Sequence, residues 1–115
     1  MAFERFLKIA GYTKEANIKI NKYSQFSLNK MVMGRYFDSL KNVFLYYDKE
    51  ANKIGLEPTI KKEGTFQIMT PHGYKYGVFS AKTFLKEYGI ALTATRNFTP
   101  TWDEENKMLI VDLNE

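Results

Sequence analysis

The chain has 115 residues, of which 44% are hydrophobic and 16% aromatic, with a formal net charge of +4 and no cysteine. That is the size of one domain with apolar mass enough for a core, which excludes a disordered chain. The lack of cysteine excludes a disulfide framework, a thiolate nucleophile and any Cys-based zinc or iron–sulfur centre. No apolar run nears the roughly 18 residues of a membrane span. The start, Met1-Ala-Phe-Glu-Arg-Phe-Leu-Lys8, has charges where a signal peptide needs an apolar stretch. A cytoplasmic protein with no membrane partner is expected.

In chain order, Ile18-Lys-Ile20 alternates apolar and polar residues, the period of a half-buried strand. Asn21-Lys-Tyr-Ser-Gln25 supplies turn residues, and Phe26-Ser-Leu28 re-enters a strand or leads into a helix. Ser27 or Asn29 can cap that helix. Met33, Tyr36 and Phe37 keep the 3–4 spacing of a short amphipathic helix over Lys30 to Phe37, which Gly34 weakens by up to ~1 kcal/mol. Asn42-Val-Phe-Leu-Tyr-Tyr47 is strongly β-prone. Asp48-Lys-Glu-Ala-Asn52 reads as a turn, Lys53-Ile-Gly-Leu-Glu57 as the returning strand, and Pro58 as its end.

The pattern then starts again. Lys61-Lys-Glu-Gly64 is a short linker, Phe66-Gln-Ile-Met69 a strand and Thr70-Pro-His-Gly73 a turn. Tyr76-Gly-Val-Phe79 leads to Ser80, in the place of Ser27, and to a helix over Ser80–Tyr88 with Ala81, Phe84, Leu85 and Tyr88 on one face. Gly89 is its stop. A strand over 92–98 precedes a last hairpin from Thr101 to Leu113. Phe26-Ser27 aligns with Phe79-Ser80, and Tyr47-Asp48…Ile54 aligns with Trp102-Asp103…Met108, with one gap. The expected fold is therefore one α+β domain over 1–115. It holds two β-α-β-β repeats, about 17–58 and 65–113, that share one core as a mostly antiparallel sheet or small barrel.

Charge is uneven along the chain. Residues 1–58 hold ten Lys/Arg and six Asp/Glu, whereas 59–115 hold seven of each. Residues 18–36 carry Lys19, Lys22, Lys30 and Arg35 and no acid, while Asp103, Glu104, Glu105, Asp112 and Glu115 face only Lys107 in the last fifteen. A basic face can attract a polyanion.

No catalytic constellation stands out. The one histidine, His72, sits between Pro71 and Gly73 in a turn and has no His or Cys to share a metal with. Asp103-Glu104-Glu105 lacks the alternation and Gly of a calcium loop, and Gly64, Gly73 and Gly77 do not form a phosphate loop. Ser27 and Ser80 have no base beside them. Neither metal nor cofactor is expected, and the protein reads as non-enzymatic.

The first unit, on Ile18-Lys-Ile-Asn-Lys-Tyr-Ser-Gln-Phe-Ser-Leu-Asn-Lys30 and Val43-Phe-Leu-Tyr-Tyr-Asp-Lys-Glu-Ala-Asn-Lys-Ile-Gly-Leu56, resembles the DNA-binding domain of the AbrB/MazE/SpoVT superfamily of transition-state regulators and antitoxins. That resemblance implies interlocked hairpins, here as a pseudo-dimer within one chain, with Lys19, Lys22, Gln25, Lys30 and Arg35 as the DNA contacts. Ser24-Gln25 stands where the superfamily commonly has Gly, Asn29 stands where it commonly has Pro, and the second unit lacks the basic turn. The whole chain also resembles small proteins of bacteria and their phages that share the Leu-Tyr-Tyr-Asp…Ile-Gly hairpin.

Tyr12, Tyr23, Tyr74 and Tyr76 lie near basic residues and can stack on bases, though Tyr76 reads more simply as barrel wall, and Met31 and Met33 as core filler. Two functions follow. One is a DNA-binding transcriptional regulator or accessory module, with double-stranded DNA as partner. The alternative is a protein–protein interaction module, a phage or antitoxin-like component that binds a protein partner or a second copy in a homodimer. Small-ligand binding inside the barrel is a third.

Overall fold

In the computed structural model, which describes residues 15–71 and 76–115, the alternation at Ile18 does what period-2 patterning requires. Strand β1 (Ile18–Ile20) buries both isoleucines and exposes Lys19. It runs antiparallel to β2 (Gln25–Leu28), with Ile18 opposite Leu28 and Ile20 opposite Phe26, so four apolar side chains share the inner face. Asn21 closes the turn between them: its Oδ1 accepts from the N–H of Tyr23 at 2.9 Å and of Gln25 at 3.0 Å. Ser24 takes a left-handed φ of 69° there.

Asn29, not Ser27, caps the helix. Its side chain accepts from Val32 N at 3.0 Å and also from Asn17 N at 3.1 Å, tying the helix start to the strand before it. Only one α-helical turn forms, α1 (Lys30–Val32), before the chain widens into a π-helical turn over Met33–Phe37. The wide turn closes with Asp38 N donating to Met33 O at 2.8 Å, and Asp38 leaves it at φ 53°. Met33 and Phe37 are buried as their spacing predicts, and Tyr36 packs on the core edge.

Strand β3 (Asn42–Asp48) pairs along its whole length with β4 (Lys53–Thr59), from Asn42 opposite Thr59 to Asp48 opposite Lys53. Strand β4 runs past Pro58, where it was expected to stop; its pairing with β9 (Met108–Asp112) has already ended at Leu56, so the missing N–H leaves no ladder bond to β9 unmade. In the β3–β4 turn Asp48 Oδ1 accepts from Ala51 N and Asn52 has φ 55°. The turn between β8 (Thr101–Asp103) and β9 repeats this: Asp103 Oδ1 accepts from Asn106 N, and Lys107 has φ 56°. Asn52 and Lys107 thus take the same place, and the two turns match without the gap that residue identity asks for.

The second half departs more from expectation. Strand β5 is only Phe66–Gln67, followed by a single bridge between Met69 and Val78. Ser80 ends β6 (Gly77–Ser80) opposite Gln25, so it caps nothing. Ala81 stands at the N-cap of α2 (Lys82–Glu87) without a side-chain bond, its N–H spent on Ser24 O at 2.9 Å. Gly89, at φ 65°, ends the helix as expected: Gly89 N donates to Lys86 O and Ile90 N to Leu85 O, the paired bonds of a Schellman motif. Ala81, Phe84 and Leu85 are buried, but Tyr88 is exposed at one side and rests on the Tyr47 ring. The strand expected over 92–98 shortens to β7 (Arg96–Phe98).

The described strands form two open sheets, ordered β6-β2-β1-β7 and β5-β3-β4-β9-β8, and every pairing is antiparallel. They do not close into a barrel. Proline at 100 has no N–H to give and falls between β7 and β8, while β5 is too short to carry a ladder to β6. Buried side chains from both halves make one cluster, with Phe26 stacked on Phe79 at 4.8 Å and Phe79 in turn 6.0 Å from Phe66. The result is an α+β domain of mostly antiparallel strands with short helices. None of the described helices is long and apolar enough to cross a membrane.

Candidate nucleic-acid interface

The five residues expected on DNA fall into two groups. Lys19 lies on the outer face of β1, between Ser27 on β2 and Asn97 on β7. Lys22 and Gln25 flank the turn, where Lys22 Nζ sits 5.3 Å from the Tyr23 ring and Gln25 Oε1 accepts from Asn21 Nδ2 at 2.8 Å. Tyr23 is 69% exposed at the tip, open to stacking as its turn position predicts. Lys30 and Arg35 belong to the other group. Strand β2 puts roughly 13 Å of extended chain between the turn and the helix start, at ~3.3 Å per residue.

Lys30 and Arg35 instead line an open cleft of about 610 Å³ together with Lys41. Sequence reading missed Lys41 because it stands in an irregular segment between the π turn and β3, where no periodicity assigns it a side. It also missed Asn97, which joins the outer face through a 3.2 Å bond from Asn17 Nδ2.

Charge is segregated between the sheets. None of β1, β2, β6 and β7 contains Asp or Glu, although they come from both halves of the chain. The other sheet carries Asp48, Glu57, Asp103 and Asp112. Arg96 does not add to the basic face: its guanidinium bonds Leu113 O at 3.2 Å and Glu115 O, holding the C-terminal residues against the sheet. Between described residues no ion pair neutralises Lys19, Lys22 or Arg35; the pair that forms is Lys107 with Glu104.

The acidic residues are engaged in their own turn. Asp103 is held below the usual carboxylate range by hydrogen bonds from the Asn106 side chain and backbone. Glu104 is lowered by Lys107 and by the Trp102 indole N–H, and Asp112 by the backbone and side chain of Asn114. Tyr46 is pushed up chiefly because its hydroxyl donates to the Glu57 carboxylate, a bond that ionisation would break, and then by desolvation and the Glu57 charge. Each is a solvated turn or strand contact, and no three His, Cys, Asp or Glu among the described residues gather as metal ligands. Met33 is core filler as expected and Met31 is half-buried, whereas Tyr76 is partly exposed rather than enclosed. His72, Tyr12 and Tyr74 lie outside the described residues.

Compared with protein-family models, with curated proteins and with solved structures, the chain has no match.

Proposed function

We propose that this protein is a DNA-binding module, a transcriptional regulator or an accessory to one, that works by binding rather than catalysis and is built as a fused pair of swapped-hairpin units. The observation that carries the DNA reading is the carboxylate-free sheet, with Lys19 on its outer face and Lys22, Tyr23 and Gln25 at its turn. A polyanion approaching the outer face meets Lys19 beside Ser27 and Asn97, with Lys22 and Gln25 at the turn and no Asp or Glu in the strands themselves. Lys30, at the helix start, extends the set towards flanking phosphates.

The fused-pair reading rests on register. Two equivalent strands that meet antiparallel across a two-fold axis must pair each residue near the axis with its own counterpart. Phe26 faces Phe79, 53 positions on, and Gly55 faces Ile110, 55 positions on. Those offsets relate the halves elsewhere too. Tyr47 opposite Ile54 becomes Trp102 opposite Leu109. Each hairpin also reaches the helix of the other half: Tyr47 meets Tyr88 in a tilted ring pair at 5.0 Å, and Trp102 stacks on Tyr36 at 5.1 Å. Ser24 supports the resemblance as well, since its φ of 69° is the conformation that the superfamily's turn glycine would adopt.

Fluorescence anisotropy with a mixed-sequence labelled duplex tests the DNA reading. Three neutralised phosphates give a log–log salt slope near −2.7, so a fourfold rise in salt lowers affinity about forty-fold. Lys19→Glu/Lys22→Glu/Lys30→Glu should abolish the binding. No binding at low salt sinks the reading. The rival, a protein-interaction module, draws on Ile60 and Met69, 79% and 58% exposed on either side of β5. It gains if a protein partner binds while duplex DNA does not.

A further inference from the structure

The cleft beside the π turn is built unlike the rest of the molecule. Its lining combines apolar Met31, Met33 and Leu40 with Lys30, Arg35 and Lys41 against a single acid, Asp38. Three local features mark it. The helix widens to a π turn, a distortion frequent at functional sites. Asp38 is held at φ 53° and ψ −115°, far from the regions that a residue with a Cβ prefers. Gly34 sits inside the helical segment, where it costs ~1 kcal/mol relative to Ala, yet a Cβ there would meet nothing within 4 Å. By contrast, Gly55 and Gly77 are each required by a side chain less than 3 Å from where a Cβ would stand.

Open space beside a helical glycine, lined by both apolar side chains and cations, suits a ligand that is apolar at one end and anionic at the other. Duplex DNA does not account for it, because the phosphate backbone brings charge without an apolar body. We propose that this cleft binds a small amphiphilic organic anion, its apolar body on Met31 and Leu40 and its carboxylate, sulfonate or phosphate group at Arg35, Lys41 and Lys30. The volume, about 610 Å³, falls within the roughly 300–1,000 Å³ of small-molecule sites. This site does not depend on the DNA reading and stands if that reading fails.

The test uses the full chain with anilinonaphthalene sulfonate, whose fluorescence rises in apolar surroundings, and with uncharged N-phenylnaphthylamine beside it. The sulfonate should bind saturably and more tightly than the neutral amine. Arg35→Gln/Lys41→Gln changes two exposed side chains; it should weaken sulfonate binding about fivefold, at ~0.5 kcal/mol for each exposed cation, and amine binding less than about twofold. Gly34→Leu, which projects into the open space, should weaken both. Sulfonate binding unchanged in the double variant, or an equal loss for the two probes, overturns the proposal. So does displacement of the sulfonate by duplex DNA together with loss of duplex affinity in the double variant, which would give the rim to phosphates.

Discussion

The two sheets of this protein are made by the same hairpin physics and differ in charge. The β6-β2-β1-β7 sheet has no carboxylate in its strands, and the β5-β3-β4-β9-β8 sheet has four. Each draws strands from both halves of the chain, so the segregation belongs to the topology rather than to either half. Hairpin geometry needs little from the outward side chains: an Asp to close the turn, a left-handed residue after it and alternating apolar residues inside. The outer positions are left for charge to be sorted.

The largest expected effect tests whether the sheets stand as one unit. Phe79 touches Phe26 in its own sheet and Phe66 on β5 of the other. Phe79→Ala should cost about 3–5 kcal/mol, and denaturant unfolding followed by circular dichroism and by Trp102 fluorescence should show one coincident transition. Two separated transitions would mean that the sheets fold apart.

Next comes a glycine from each sheet. A Cβ at Gly77 would stand 2.5 Å from Ile68 Cγ2 and 2.8 Å from Met33 Sδ, both on buried residues. At Gly55 it would stand 2.7 Å from Met108 Sδ, near the end of a half-buried, flexible side chain. Gly77→Ala should therefore destabilise by about 1–3 kcal/mol and Gly55→Ala by less, in urea melts. Equal losses would show that the methionine has no room to move.

The turns give a smaller contrast. Lys107 and Asn52 share a left-handed φ, which costs a residue with a Cβ ~1 kcal/mol or more. Lys107→Gly should recover about that much. Asn52→Gly should gain less, because Asn52 Oδ1 accepts from the Tyr47 hydroxyl at 2.8 Å and that bond is lost. Thermal melts of the two variants decide it.

The smallest effect is on acid stability. Asp103 is depressed in the folded state, first by the Asn106 side chain, so its contribution is present above its ordinary value of 3.8 and lost as pH falls through the lower folded value. Protection from hydrogen exchange, relative to the intrinsic rate at each pH, should fall in the β8–β9 turn below about pH 4, while that of the β1–β2 hairpin, with no carboxylate, should not change. Asn106→Ala should raise the Asp103 midpoint in an NMR titration; an unmoved midpoint would refute the assigned cause.

Much of the fold was legible because its signals are local. Alternation placed Ile18, Ile20 and Phe26, the β-prone run placed β3, and Gly89 marked a helix end. The errors sit where a distant group intervenes. Ser80 reads as a cap until β6 pairs with β2 and takes it into the ladder. The helix over Lys30–Phe37 reads as regular until it widens after one turn. Among the candidate DNA contacts, Lys19, Lys22 and Gln25 were found together because one hairpin holds them. Lys30 and Arg35 join the same contact set only through the resemblance, which carries no register, and Lys41, their neighbour in the cleft, carries no signal.

What the sequence by itself determined is the set of units: which segments are strands, where each turn closes, and which side chains face inward. These follow from preferences acting over a few residues, such as side-chain period, left-handed tolerance and capping. Only the tertiary structure decided which strands share a sheet, hence that the strands of one sheet have no carboxylates, and that Arg35 and Lys41 line one cleft. The physical reason is range. Antiparallel pairing between strands some fifty residues apart is selected by the joint packing of rings such as buried Phe26 and Phe79 with half-buried Phe66, and no local preference encodes it.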